Sequence, residues 1–449
     1  MRTSLLRQAA FRRFFAGRLV SLLGSSMAPV ALAFAVLDAS GSGHDLGVVL
    51  AAHMLPLLAF LLVGGAVADR FPRRTVLVAA HLGAAGTQGA VAALLMTGHY
   101  SLPPVAALEF LNGVLAAFTT PALRGVVPQL VTKSLLQQAN SLLGSAGNAT
   151  KILGPSLSGV LVVTVGSGPA IAFDAFTFLV AAGFLARLSL TGTADVSQGA
   201  TVWAGIRTGW SAFRAIRWVW VGALSFCLLN LAQTGTWQIL GPQLTRQLSG
   251  ATTWGVVLSV RGVGMLVSSL LMYRLTVRHL LRFGLSAGVL GALPLLALGA
   301  RSATAWLLVG AFVAGLGSSV TGVAWDTSLQ EHVPAHVLSR VASYDDLLSY
   351  AAIPVGQLCV GPLAQAFGAF RVCLGAGVVS AAAMLLPLTC AAVRGLPHAR
   401  PGTGARSMTR SAMSSLSWPP VWASRSRWTR RSRESGPAAG KEATRSARG

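Results

Sequence analysis

Gly65-Ala66-Val67-Ala68-Asp69-Arg70-Phe71-Pro72-Arg73-Arg74 closes one apolar run, 46–68, and opens onto a second, 75–97. Each run has about the twenty residues a helix needs to cross the hydrocarbon core of a bilayer. The joint between them is short and basic, which suits the headgroup level, where arginine meets lipid phosphate. A positively charged turn would explain the arginines alone. It would not explain Gly65, whose missing side chain lets two helices approach closely, or Asp69, an anion placed where helix ends carry partial charge. The stretch therefore reads as a membrane loop that another helix packs against.

The rest of the chain repeats the pattern. Of 449 residues, 53% are hydrophobic and only 10% charged, against about a quarter charged in soluble domains. Apolar runs are expected to span at 14–37, 46–68, 75–97, 102–123, 138–164, 169–188, 219–243, 253–273, 282–300, 303–325, 345–367 and 370–393. The fold expected is an all-α membrane protein of about twelve transmembrane helices. Loops 38–45, 98–101 and 165–168 carry no arginine or lysine, and Arg246, Arg301 and Arg371 are single cations in the later loops of that series. The intervening loops hold Arg70, Arg73 and Arg74, then Arg124 and Lys133, then Arg187, Arg207, Arg214 and Arg217, then Arg274 and Arg278, then Arg340. This alternation predicts that both termini are cytoplasmic. Arg2, Arg7, Arg12 and Arg13 mimic the start of a signal peptide, but a second apolar run follows at once, so an uncleaved first helix is expected.

The net charge of +23 does not call for nucleic acid, because the cations sit between apolar runs and in the tail. The four cysteines lie in or beside apolar runs without metal-ligand spacing, so they read as small packing residues. No phosphate-binding loop, nucleophile elbow or His/Cys cluster occurs. No cofactor is expected, and energy for any transport should come from an ion gradient.

Two landmarks recur. Val127-Pro128 precedes Gly154-Pro155, and Val333-Pro334 precedes Gly361-Pro362. Each Val-Pro is expected to open a polar loop and each Gly-Pro to lie within a helix, as in a duplicated bundle. The domains expected are an N-terminal six-helix bundle over 1–188, a cytoplasmic linker with an amphipathic segment over 189–217, a C-terminal six-helix bundle over 218–393 and a basic disordered tail over 394–449.

The loop quoted above resembles the motif Gly-x-x-x-Asp-Arg-x-Gly-Arg-Arg of the major facilitator superfamily, with Pro72 where glycine is usual. The resemblance implies two six-helix bundles with pseudo-two-fold symmetry. It also implies a conformational switch at Gly65, Asp69, Arg70, Arg73 and Arg74, with Asp69 and Arg73 locking the bundles together in one state. Gly154-Pro155-x-x-Ser158-Gly159 looks like the antiporter motif of the exporting branches. Phe11 to Gly24, Phe173 to Phe178 and Trp325 to Val341 look similar to the branch of macrolide and siderophore exporters. The superfamily often has an arginine where span four here has Glu109-Phe-Leu-Asn112-Gly113, so that residue's role does not transfer.

Other ionisable residues at membrane depth are Arg18, His53, Lys151, Asp174 and Arg261. A charge there normally faces a partner or a cavity. Glu109 and Lys151 are the proton-coupling candidates, and a Glu109–Lys151 pair is expected. Asp174 and Arg18 are expected nearer helix ends. Met27, Asn112, Asn230, Gln233, Trp237 and Thr321 are candidate substrate-path residues. The function expected is proton-coupled export of an amphipathic small molecule by a monomer. Its partners are that substrate, protons and anionic lipid headgroups. Uptake through the same fold, or a non-transporting scaffold or sensor, are the alternatives.

Overall fold

The computed structural model describes residues 5–40, 43–188, 202–249, 251–275 and 277–398. These form helices and turns, with no strand among the described residues. Twelve helices are long and apolar enough to cross a membrane. Spans 1 to 6 are Ala9–Ser40, Asp45–Arg70, Arg73–Met96, Leu102–Leu130, Lys133–Val165 and Ser167–Ala186. Spans 7 to 12 are Arg217–Ser249, Thr253–Met272, Leu280–Gly299, Thr304–His332, Leu338–Phe367 and Ala369–Thr389.

The packing repeats with a shift of six. Span 2 lies against span 4, span 3 against span 6, and span 1 against spans 5 and 6. Likewise span 8 lies against span 10, span 9 against span 12, and span 7 against spans 11 and 12. Each half has its own apolar cluster towards the face that carries loop 70–74. Phe11, Phe14, Leu77, Val126 and Leu136 belong to the first, and Trp218, Leu281, Trp325, Leu329 and Val341 to the second. The halves meet where span 2 packs on span 11, span 5 on spans 8 and 10, and span 4 on spans 10 and 11.

Several ends differ from the expected ones. Span 4 continues through Pro128 to Leu130, so Val127-Pro128 lies inside a helix and opens no loop. Its counterpart does end a helix: span 10 stops at His332 with Val333 extended. Both helices outrun their apolar segments because their polar ends pack on the opposite half. Span 7 also runs beyond the expected 243. It contains a π-helical turn over Thr236–Leu240 before continuing as helix to Ser249. Within the linker, Val202–Ala215 is the amphipathic helix. It lies on the lock rather than apart from the bundles: Tyr344 Oη donates to Ile206 O at 3.0 Å, and Trp210 and Phe213 pack on the Tyr344 ring. The segment 189–201 and the tail from 399 fall outside the described residues.

Candidate functional site

Asp69 ends span 2 facing the N-terminus of span 11. Its carboxylate accepts from Ser339 N at 3.3 Å, Arg340 N at 3.0 Å and Arg340 Nε at 3.2 Å. It thus satisfies backbone donors that a helix start leaves free and faces the positive end of the helix dipole. Arg73, one turn on, donates from Nη2 to Asp69 Oδ1 at 2.9 Å and to Ala335 O at 2.8 Å, and from Nη1 to Gly125 O at 2.8 Å. Asp69 and Arg73 are both buried. Gly65 lies directly beneath: a Cβ there would collide with Ser343 Oγ and stand 2.9 Å from Ser339 O. Of the remaining loop cations, Arg70 lies over the Phe71 ring at 5.8 Å, and Arg74 is exposed.

A second tie was not legible in the sequence. Arg124, which looks like one more loop cation, is part of span 4 and reaches three carboxylates of the other half. Its Nη1 is 3.0 Å from Asp346 Oδ1 and 3.5 Å from Asp345 Oδ2, and its Nε is 3.4 Å from Asp326 Oδ1. Trp325 Nε1 holds Asp345 Oδ2 at 2.8 Å. Further bonds between the halves continue along span 5. Lys133 Nζ donates to Glu331 O at 2.9 Å. Gln137 Nε2 donates to Met272 O at 2.8 Å. Asn140 Nδ2 donates to Thr327 Oγ1 at 3.0 Å and to Gln330 Oε1 at 2.8 Å. Ser145 Oγ bonds Ser269 Oγ at 2.8 Å, and Asn148 Nδ2 bonds Ser319 Oγ at 3.3 Å. Above these, Ile152 meets Gly262, where a Cβ would lie 2.7 Å from Ile152 Cγ1. The halves are closed together on the loop-70 face mainly by polar contacts, with Tyr273, at the end of span 8, packed on the apolar cluster of the first half.

Glu109 is buried, but not beside Lys151. Its Oε2 lies 3.3 Å from His53 Nδ1, and its Oε1 accepts from Gln88 Nε2 at 3.1 Å. The expected Glu109–Lys151 pair is therefore replaced by partners from spans 2 and 3, because span 4 packs on those two helices. Asp174 is buried as well and within electrostatic reach of Glu109. It lies in the core of the first half against Gly24 and Thr177, not near a helix end, and its Oδ1 has no hydrogen-bond partner among the described residues. Two buried carboxyl groups and a half-buried histidine are thus near one another inside one bundle. Lys151 is exposed, and the charges that bear on it are those of Arg261 and Arg18.

Gly154 packs on span 1, where a Cβ would lie 2.5 Å from Ser26 Cβ, and Ser158 Oγ donates to Met27 O at 2.9 Å. Pro155 is exposed and Gly159 half-buried. Met27 and Asn112 are buried. Asn230, Gln233 and Thr321 tie helices within the second half, through Ser349 O, Gly291 O and Gly284 O respectively. Trp237 is buried, packed on Trp254 with ring centroids 4.6 Å apart, and carries Arg261 over its face at 5.0 Å.

Residues 2–402 match the family described as transmembrane secretion effector. The multidrug efflux pump Tap of Mycolicibacterium fortuitum is 28% identical over 370 residues, covering 77% of this chain and 87% of the pump. Macrolide efflux protein A of Streptococcus pyogenes is 29% identical over 155 residues, 34% of this chain and 37% of that one. Among solved structures, a bacterial homologue of the iron transporter ferroportin in an outward-facing state superposes with a TM-score of 0.69 at 19% identity, covering 85% of this chain and all of the other. The major facilitator proton:xylose symporter XylE gives 0.66 at 13% identity, covering 85% of this chain and 95% of that one. The twelve spans, their repeated packing and the loop geometry agree with these likenesses, and the chain belongs to the transmembrane secretion effector family of major facilitator transporters.

Proposed function

We propose that the protein exports amphipathic small molecules from the cytoplasm by proton-coupled alternating access. In this reading the loop-70 face is cytoplasmic, which the distribution of arginines supports, and the conformation described is the one closed towards the cytoplasm. The observation that carries the reading is the Asp69 cap on span 11. It joins the halves through a few charge-assisted bonds at a polar interface, an arrangement that can be made and unmade without disturbing either apolar core. A transporter needs such a bistable contact, and a static scaffold does not. Export is supported by the similarity to efflux pumps along most of the chain, and by Gly154 packing on span 1 as a small-residue contact.

Proton coupling is assigned to Glu109, with Asp174 and His53 as its neighbours. An ionised carboxylate in a dry bundle is costly unless paired, and two carboxyls in one site cannot both hold charge cheaply. The test is transport by the purified full-length protein in proteoliposomes under an imposed pH gradient, with Glu109→Gln beside the unaltered chain. Concentrative transport of a dye that depends on the gradient, and that falls to simple equilibration in the variant, is the expected result. Gradient dependence that survives Glu109→Gln unchanged would remove Glu109 from the coupling role.

A further inference from the structure

The mechanism above uses the seal and the carboxyl cluster, and leaves three cations unused. Arg18 of span 1, Lys151 of span 5 and Arg261 of span 8 lie at membrane depth, two in one half and one in the other. Lys151 is within electrostatic reach of both arginines. Among the described residues none of the three makes a side-chain hydrogen bond or an ion pair, and Arg261 Nε is buried without a partner. Like charges repel, and a cation at membrane depth ordinarily finds a carboxylate or a carbonyl. The acids of the membrane region lie elsewhere: Glu109 pairs with His53, Asp69 with Arg73 and Arg340, and Asp326, Asp345 and Asp346 with Arg124, while Asp174 lies against Gly24 and Thr177 within reach of Glu109.

The position of the three is as telling as their charge. Ile152 and Gly262 meet closely across the span 5–span 8 seal, and Lys151 and Arg261 are the residues beside them in sequence. Lys151 is exposed, on a span that packs on span 1 of its own half and on span 8 of the other. Arg261 also lies over the face of Trp237 at 5.0 Å. Trp237 sits in the π-helical turn Thr236–Leu240, and such turns, costly in a helix, are frequent at functional sites. The turn shifts the register of span 7 and brings an indole under a guanidinium from the neighbouring span.

We propose that Lys151 and Arg261, with Arg18 within reach of Lys151, form the substrate-charge subsite, and that the transported molecule carries a carboxylate or other anionic group. An anion there would satisfy Arg261 Nε and relieve the repulsion among the three cations. Because Arg261 comes from one half and Lys151 and Arg18 from the other, the anion would also bridge the bundles. This rests on the export reading but concerns a different property of the site, the charge of its ligand.

The experiment compares fluorescein and rhodamine 123, which share a xanthene framework but differ in charge. Equilibrium binding to the purified full-length protein is read by quenching of tryptophan fluorescence, and transport is read separately in phosphatidylcholine proteoliposomes. The proposal predicts that fluorescein binds about tenfold or more tightly than rhodamine 123. It predicts that Arg261→Gln and Lys151→Gln each weaken fluorescein binding by about tenfold, the loss expected for one charge-assisted bond of about 1.5 kcal/mol. Arg261→Lys and Lys151→Arg should restore most of it, which a fold defect would not do. Equal or tighter binding of rhodamine 123, no binding of fluorescein, or fluorescein binding indifferent to both glutamine variants would overturn the proposal. Fluorescein bound in the predicted way but never transported would leave the subsite standing and count against the export reading instead.

Discussion

At the scale of single residues, Asp69 bears the most weight. It accepts four bonds from two different elements, three of them from across the interface. Replacing it by asparagine keeps the shape, removes the charge and leaves Arg73 and Arg340 without their anion. Breaking a buried pair in this way costs about 3–5 kcal/mol, enough to shift a two-state equilibrium by roughly a hundredfold or more. Asp69→Asn should therefore depopulate the closed state. Spin labels at the exposed positions Thr132 and His336 should report a longer distance between them, and an unchanged distribution would show that the cap does not hold the seal. Asp69 was readable because its spacing from Gly65 and Arg73 is local. Arg124 and Asp174 were not. Each is defined by partners from other spans, 174 against 109 and 124 against 345 and 346, and no periodicity in one chain encodes which side chains meet across helices. The same limit separates the expected Glu109–Lys151 pair from the structure: the sequence shows two charges at membrane depth, but not that His53 of span 2 and Gln88 of span 3 are the partners of Glu109.

At the scale of elements, the glycines separate two kinds of helix contact. Gly65 meets the opposite half, since a Cβ would strike Ser343 and crowd Ser339 O. Gly264 meets its own half, since a Cβ would strike Phe312 O of span 10. Close approach in membranes depends on such missing side chains. Gly65→Leu should therefore leave a folded, well-expressed protein that cannot close on the loop-70 face. Gly264→Leu should lose expression and thermal stability, because it forces apart helices that never separate. Comparing melting temperature with label distance in the two variants checks this, and equal destabilisation by both would contradict it. The span count and the loops were legible from hydropathy and charge. Span ends were not, because the polar last turns of spans 4 and 10 remain helical through contacts with the other half. Nothing in the composition of Thr236–Leu240 announced a π-helical turn.

At the scale of the whole molecule, two apolar cores, touching through Tyr273, face each other across polar contacts gathered on one side. Opposite that side, Lys151 is exposed. In a chain freed of its own cysteines, Lys151→Cys should react with a membrane-impermeant maleimide added from outside the cell. The same label should react several-fold more slowly when Asp69→Asn is added, since that change favours the alternate state. Labelling from the cytoplasmic side in the closed form would reverse the assigned orientation. The central claim is that closure and opening of this seal are driven by protons to move a substrate outwards. Its most direct test is dye accumulation in everted membrane vesicles whose lumen corresponds to the cell exterior. With the lumen acidified, the account predicts accumulation of the dye above its equilibrium level. Collapse of the pH gradient should abolish it, and Glu109→Gln should reduce it to equilibration. Accumulation that ignores the gradient, or that requires an alkaline lumen, would contradict the account.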